Sequence, residues 1–313
     1  MPLPFPFKPM EPKLLDKPFD SQDYLFQLKW DGVRCLAKSK LDSQELYSRR
    51  GNRRTSRYPE LSEALKKLTP KGVILDGEIV SLNQNGKPDF KQVLRRDLAV
   101  NKSTVNALMR EISVTYIVFD ILELEGKVLT EATLNERLEL LHSVIPANSR
   151  LISPIQSIAT EGISMYQAVS AEGLEGIVAK KKDSPYLLGK KSDYWYKIKV
   201  WQEIDATAGG FIMSEGQVRS LLLGHIDEAN ARLIYIGNAS SGLDQEKRQQ
   251  IVAYSSLHKS EFSPFYNQPS VKLKPGHSIH WLQSPLPVTV RFLEWTSDNK
   301  LRHPSIKQIK ITD

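Results

Sequence analysis

The sequence predicts a mixed α+β domain built on antiparallel sheets over residues 1–205, followed by a small all-β barrel over residues 206–313. Three observations carry that division. The chain has 313 residues, which suits about two domains on the usual scale of roughly 100 to 200 residues each. Short β-rich runs alternate with helical patterns as far as Val200. Beyond it the texture becomes short strands separated by turn residues, with a single helical stretch.

In chain order, "YLFQLKW", "VRCLA", "ELYSR", "GVILDGEIV", "SVTYIVFDIL", "GIVAKK" and "YWYKIKV" read as strands. Between them, "YPELSEALKKL" spaces Leu61, Leu65 and Leu68 along one helical face, and "TLNERLELLHSVI" opens on Thr133 with Glu136 three later, a capping-box arrangement. After Val200, "GFIMSEG", "RSLLLGHI", "RLIYIGNAS", "VTVRFLEWT" and "SIKQIKI" read as strands and "LDQEKRQQIVAYSSL" as the one helix. Five or so strands in about 110 residues predict a small barrel of the oligonucleotide/oligosaccharide-binding (OB) type. The junction falls near Ala206 to Gly210, with no long linker.

One cysteine, Cys35, excludes an internal disulfide and the thiol-rich zinc signatures, and fits a reducing cytoplasm. The proline-broken start "MPLPFPFKPMEPKLLDKPF" lacks the pattern of a secretory signal, and no run approaches a membrane span, so a soluble protein is expected. The formal charge of +7 lies almost wholly before Val200. Such an excess favours polyanions but also occurs in ordinary soluble proteins. More specific is "SRRGNRRTSR", Ser48 to Arg57, with five arginines in ten residues. It reads either as a solvated surface loop or as an edge that grips phosphates.

Charges also stand where strands should be apolar. Residues two apart on a strand share a face, which pairs Lys29 with Asp31, Asp76 with Glu78, and Lys197 with Lys199, and sets Glu175 and Lys180 at opposite ends of "EGIVAKK". Any one such pair reads as a satisfied ion pair. Several in one domain predict a polar cleft of carboxylates and lysines able to hold metal and phosphates. A partly desolvated lysine beside other cations is freed as a nucleophile, and Lys29 is the candidate, with Gly32 allowing close approach and Arg34 donating to phosphate or ribose. Carboxylates suit Mg²⁺ bridging to phosphate, and phosphoryl-type transfer needs chiefly positioning and charge neutralisation.

"KWDGVR" resembles the K-x-D-G-x-R motif of the covalent nucleotidyltransferases, which include ATP-dependent DNA ligases, RNA ligases and capping enzymes. "SRRG", "LDGEIV", "YIVFDIL", "EGIVAKK" and "YKIK" follow in the family's order. The resemblance is nearest to the bacterial ligase C and ligase D type of ATP-dependent DNA ligase, associated with non-homologous end joining. "DFKQVLRR", "SPYLLGKKSDYWYKIK", "YIGNASSGL" and "FLEWTSDNKLRHPSIKQIK" look like that group. It implies an α+β nucleotidyltransferase (adenylation) domain followed by an OB-fold barrel.

It further implies that Lys29 attacks ATP to form a lysyl-adenylate, that AMP passes to a 5′-phosphate on broken duplex DNA, and that the 3′-hydroxyl then displaces it. By the same resemblance Arg34 and Glu78 contact ribose and phosphate, Gln27, Leu28 and Lys180 belong to the nucleotide site, and Lys197 and Lys199 hold the α-phosphate. Arg49 reaches the 5′-phosphate at the nick. Phe119, an aromatic in a strand and so by sequence alone usually a core residue, stacks on adenine by the same resemblance. Glu175 and Asp76 bind Mg²⁺ or Mn²⁺. Asp31 serves metal, water or the fold of its loop. Arg302 and Lys310, in the closing motif, orient the pyrophosphate, while His303 and Pro304 shape the turn.

Some positions depart from the group. Gln27 stands where glutamate is frequent, "GKKS" carries lysines where arginines are frequent, and Lys310 replaces an arginine three residues before Asp313, an arrangement expected to slow self-adenylation. The chain reads as a bare catalytic core without a DNA-encircling, polymerase or nuclease module, expected to be a monomer with Ku as a partner in the bacterial nucleoid. An RNA ligase of the same superfamily and a non-catalytic DNA-binding protein are the competing readings.

Overall fold

The computed structural model describes residues 3–68, 72–146, 149–227, 232–296 and 298–311. The chain forms two compact units, Met1–Val200 and Trp201–Asp313. The position 205/206 lies inside the strand Gln202–Ser214 of the second unit.

The first unit runs β1 (Glu11–Leu14), β2 (Ser21–Leu28), β3 (Val33–Lys40), β4 (Ser43–Ser48), α1 (Pro59–Leu68), β5 (Val73–Val80), α2 (Phe90–Leu98) and α3 (Lys102–Glu111). It continues through β6 (Thr115–Leu124), β7 (Lys127–Val128), α4 (Leu134–Val144), β8 (Ile152–Pro154), β9 (Ser157–Thr160), α5 (Gly162–Ala171), β10 (Gly176–Lys181) and β11 (Lys191–Lys199). A five-stranded sheet has the order β1-β11-β10-β2-β9, and a six-stranded sheet the order β4-β3-β5-β6-β7 with β8 beside β6. Only the β1–β11 and β6–β8 pairings among the described strands are parallel.

Each element follows from its apolar spacing. Leu61 and Leu65 of α1 and Leu134, Leu138 and Leu141 of α4 lie on one face of their helices and are buried against Ala37, Leu75, Val118 and Ile121 of the six-stranded sheet. The capping box of α4 is formed: Glu136 accepts from the Thr133 backbone N–H at 2.8 Å and donates its own to Thr133 Oγ1. In the five-stranded sheet, Phe26 of β2, Ile177 and Ala179 of β10 and Ile198 of β11 are buried with Val169 of α5. The alternation of side chains then sends Gln27, Val178, Lys180, Trp195, Lys197 and Lys199 to the opposite face.

Helices α2, α3 and α5 bury few residues each. The buried residues of α2 are Val93, Arg96 and Asp97, so two of its inward positions are charged. In α3 only Val105 is buried.

Helix α4 is tied to β6 by an ion pair with no exposed surface, Arg137 Nε to Asp120 Oδ1 at 2.7 Å and Nη2 to Oδ2 at 3.1 Å. Arg137 Nη1 donates to the carbonyls of Ala132 at 2.6 Å and Ser184 at 2.9 Å. A buried pair is tolerated only when its remaining donors are satisfied in this way.

In the second unit, β12 (Gln202–Ser214), β13 (Gln217–Asp227), β14 (Arg232–Ala239), α6 (Gln245–Leu257), β15 (Lys259–Ser260), β16 (His277–Phe292), β17 (Glu294–Trp295), β18 (Leu301–Arg302) and β19 (Ser305–Ile309) follow in order. The main sheet, β14-β13-β12-β16-β15 with β19 on β16, is antiparallel and curls into a half-barrel. The continuous run Leu221–Leu223 is apolar because both faces of β13 are covered. Leu221 and Leu223 pack with Ile251 of α6, and Leu222 with Tyr235 and Phe265. Strand β16 begins eleven residues before the expected Val288. Pro285 and Pro287 mask it in the sequence, and Pro285 falls in the register break opposite Ala208 and Gly210. Among the described residues no helix is long and apolar enough to cross a membrane.

Replacing Arg137 with methionine should leave Asp120 as an uncompensated buried charge and lower unfolding stability by about 3–5 kcal/mol, measured by urea denaturation. A loss below about 1 kcal/mol would contradict this account of how α4 is anchored.

Candidate active site

Strand register assembles one wall of a cavity in the first unit. Gln27, Val178 and Lys197 are aligned across β2, β10 and β11, and Lys180 pairs with Leu25 on one side and Trp195 on the other. One step along, the Lys29 backbone N–H donates to the Gly176 carbonyl at 2.9 Å, and Gly176 pairs with Lys199. Gly176 has φ +142°, and a Cβ there would lie 2.2 Å from the Ile198 carbonyl oxygen. A glycine is therefore required where Lys29 and Lys199 are brought beside Glu175.

The opposite wall comes from the six-stranded sheet. Arg34 of β3 pairs with Glu78 of β5, and Glu78 with Ile117 of β6, two residues before Phe119. Gly32 permits the approach of the chain to β5, since a Cβ would meet the Ile79 carbonyl oxygen at 2.3 Å and the Glu78 side chain at 3.0 Å. The cavity holds about 600 Å³, and its lining includes Lys29, Arg34, Glu78, Phe119, Lys180 and Lys197. Gln27 and Leu28 also face it, as do Arg49 and Arg50 at the edge of the arginine loop.

Glu175 holds the lysine cluster together: Oε2 accepts from Lys29 Nζ at 2.6 Å and Oε1 lies 3.5 Å from Lys199 Nζ. Burial, then the neighbouring Lys199 and Lys29, push the Lys197 amine below its ordinary range. Lys180 is buried with its ammonium 4.4 Å from the Phe119 ring centroid and 4.0 Å from that of Trp195, donating to the Phe119 carbonyl at 3.1 Å. Burial pulls it down to about 7, against partial restoration by Asp120 and Asp76. Burial likewise raises Glu78 to about 8, outweighing the pull of Lys29 and Arg34.

Two expected alignments fail. Lys29 and Asp31 do not share a strand face, because β2 ends at Leu28 and the period of two stops there. Asp31 is half-buried and lies outside the cavity wall. Asp76 does not line the cavity beside Glu78: it is fully buried, accepting from Arg34 Nε at 2.9 Å and Nη2 at 2.5 Å, and from Tyr186 Oη at 2.6 Å. Its oxygens orient Arg34 instead. Tyr186 and Trp195 were missed as parts of the site because each is an aromatic whose neighbours lie far away in sequence. Gln27 donates to Ser157 Oγ at 3.0 Å.

In the second unit, Arg302 on β18 pairs with Glu294 across the β17–β18 ribbon. Lys310 is exposed and pairs with Asp205 at 2.7 Å. Asp313 lies outside the described residues.

The shifted groups give opposite pH dependences of stability. Glu78 is protonated in the fold up to about 8 but ionises near 4.5 when unfolded, so its contribution falls as pH rises between those values. Lys180 loses its proton near 7 in the fold but near 10.5 when unfolded, so its contribution rises with pH across that window. In Lys180→Met the rise between pH 7 and 10 should vanish from urea-unfolding free energies; an unaltered pH slope would refute the depressed amine.

The family profile described as the ATP dependent DNA ligase domain matches residues 8–199, and that of the ATP dependent DNA ligase C terminal region matches residues 214–312. The chain is 30% identical over 297 residues to the multifunctional non-homologous end joining protein LigD of Mycolicibacterium smegmatis, covering 93% of this chain and 36% of that protein. It thus spans little more than a third of that relative's length. It is 34% identical over 191 residues to the SPbeta prophage-derived DNA ligase-like protein LigB of Bacillus subtilis, covering 61% of this chain and 66% of that one. A solved structure of mycobacterial DNA ligase D complexed with ATP and MES superposes with a TM-score of 0.57 at 27% identity, covering 98% of this chain and 96% of that one. With one profile matching most of each unit, the chain belongs to the ATP-dependent DNA ligase family.

Proposed function

We propose that the protein seals 5′-phosphate/3′-hydroxyl breaks in duplex DNA through a lysyl-AMP intermediate, with adenylation chemistry in residues 1–205 and an OB-fold domain in residues 206–313. The observation that carries this is Lys29 Nζ, facing the cavity and held 2.6 Å from Glu175 Oε2. Lys29 attacks the α-phosphorus of ATP; the N–P bond forms and the bond to pyrophosphate breaks. Glu175 Oε2 is the atom in reach to take the amine proton. Lys197 and Lys199 neutralise charge on the α-phosphate as it builds. Phe119 stacks on adenine, Gln27 and Leu28 border the base, Lys180 underlies Phe119, and Arg34 with Glu78 holds the ribose.

The donor set fits a hard divalent cation. Glu175 is the carboxylate beside the lysines that a divalent cation could use, and Mg²⁺ is usually held by one or two carboxylates together with substrate phosphates. Mg²⁺ or Mn²⁺ held there would supply charge neutralisation at the phosphates. Asp76 is left out of this set, and Asp31 is assigned to the fold of its loop. Arg49 reaches the 5′-phosphate of the break, and Arg302 and Lys310 act on the pyrophosphate. A role in non-homologous end joining is supported by the likeness to LigD; recruitment by Ku, a monomeric state and a place at the bacterial nucleoid complete the proposal.

Incubation with α-labelled ATP and Mg²⁺ should label the protein, and Lys29→Ala should abolish labelling; retained label would overturn the nucleophile. The labelled protein should seal nicked DNA faster than nicked RNA, the reverse rate order pointing to an RNA ligase. Glu175→Gln should slow self-adenylation by about 10²–10⁴-fold in single-turnover assays while the fold, read by circular dichroism, is unchanged.

A further inference from the structure

The five arginines between Ser48 and Arg57 sort into two groups. The loop is a tight turn: Gly51, at φ +78°, donates to the Ser48 carbonyl at 2.8 Å, and Ser48 donates to the Asn52 carbonyl at 2.9 Å. Arg49, Arg50 and Arg53 are exposed. Arg54 and Arg57 instead turn back onto Asp97 in the last turn of α2. Arg54 Nε lies 2.9 Å from Asp97 Oδ1, and Arg57 donates to the Asp97 carbonyl. Tyr58 Oη adds a hydrogen bond to Asp97 Oδ1 at 3.3 Å. Arg96, the residue before, is 1% exposed and donates to the Arg57 carbonyl at 3.2 Å and to Glu60. The chemistry proposed above uses neither Asp97 nor Arg96.

Five like charges in ten residues repel one another, and a loop left free would lose more conformational entropy on binding a phosphate. The Asp97 carboxylate pairs with one of those charges, Arg54, while the Asp97 backbone carbonyl accepts from Arg57, and the two contacts pin the returning limb of the loop. We propose that Asp97 is a positioning residue for DNA: by holding Arg54 through its carboxylate it keeps Arg49 presented for a backbone phosphate. This rests on the reading that the arginine loop grips DNA phosphate. Asp97 touches no substrate in this scheme and acts through Arg49 alone.

The test uses the full chain, already adenylated, and a fluorescent nicked duplex titrated at several KCl concentrations without divalent metal. Asp97→Asn should raise Kd about five- to tenfold at low salt and flatten the dependence of log Kd on log salt by about 0.9, the loss of one phosphate contact. Arg49→Ala should do the same, and the double variant should bind no more weakly than Arg49→Ala alone. Unchanged affinity and slope in Asp97→Asn, or fully additive losses, would overturn the assignment. Wild-type binding by Arg49→Ala would overturn the loop reading itself. Loss of self-adenylation in Asp97→Asn would place Asp97 in fold maintenance and also overturn it. Should Asp97→Asn fail to fold, Arg54→Gln removes the same ion pair and must show the same flattened slope.

Discussion

Lys29, Lys197 and Lys199 crowd one face of one sheet, and the working part of the molecule depends on how that like charge is balanced. Glu175 does it by giving one carboxylate oxygen to Lys29 and the other to Lys199. The residual repulsion appears at Lys197, whose amine is held low by burial and by those same neighbours. A face kept short of negative charge in this way favours a phosphate-bearing ligand, because each phosphate oxygen relieves several repulsions at once. Glu78 strengthens the bias, since burial keeps its carboxyl protonated up to about 8.

Around that face, charged side chains away from the cavity fix the guanidiniums and chain segments that frame it. Asp76 fixes Arg34, Asp120 fixes Arg137 and with it α4, and Glu60 with Arg96 fixes the limb that follows the arginine loop. Each pair has at least one fully buried member, so the net gain from forming it is small, while loss of its partner strands a charge in a low-dielectric interior. Such pairs act as geometric constraints more than as sources of stability. They set guanidinium positions to within a hydrogen bond's tolerance, which a purely apolar core would leave loose.

Much of the fold was legible where a single covered face imposes a period. The alternation in "YLFQLKW", "GIVAKK" and "YWYKIKV" marks the strands and, at the same time, the residues facing the cavity. It failed where that condition fails. Helix α2 turns Arg96 and Asp97 inward, and β16 carries prolines in and beside a bulge. Strand β2 ends one residue before the nucleophile candidate, so the face of Asp31 could not be extrapolated.

The sequence by itself determined which side chains can do the chemistry, because nucleophilicity, charge and metal preference belong to residue types, and their spacing along strands places them on common faces. Tertiary structure alone decided which of those groups are available. Asp76 and Glu78 stand two apart on one strand and look equivalent in the sequence. Tyr186, 110 residues away, and Arg34 occupy the oxygens of Asp76, whereas Glu78 faces the cavity. The arginines of Ser48–Arg57 divide in the same way at Asp97. A partner brought in by chain topology leaves no local periodic signal, and desolvation, which sets the protonation of Glu78 and Lys180, exists only once the chain has packed.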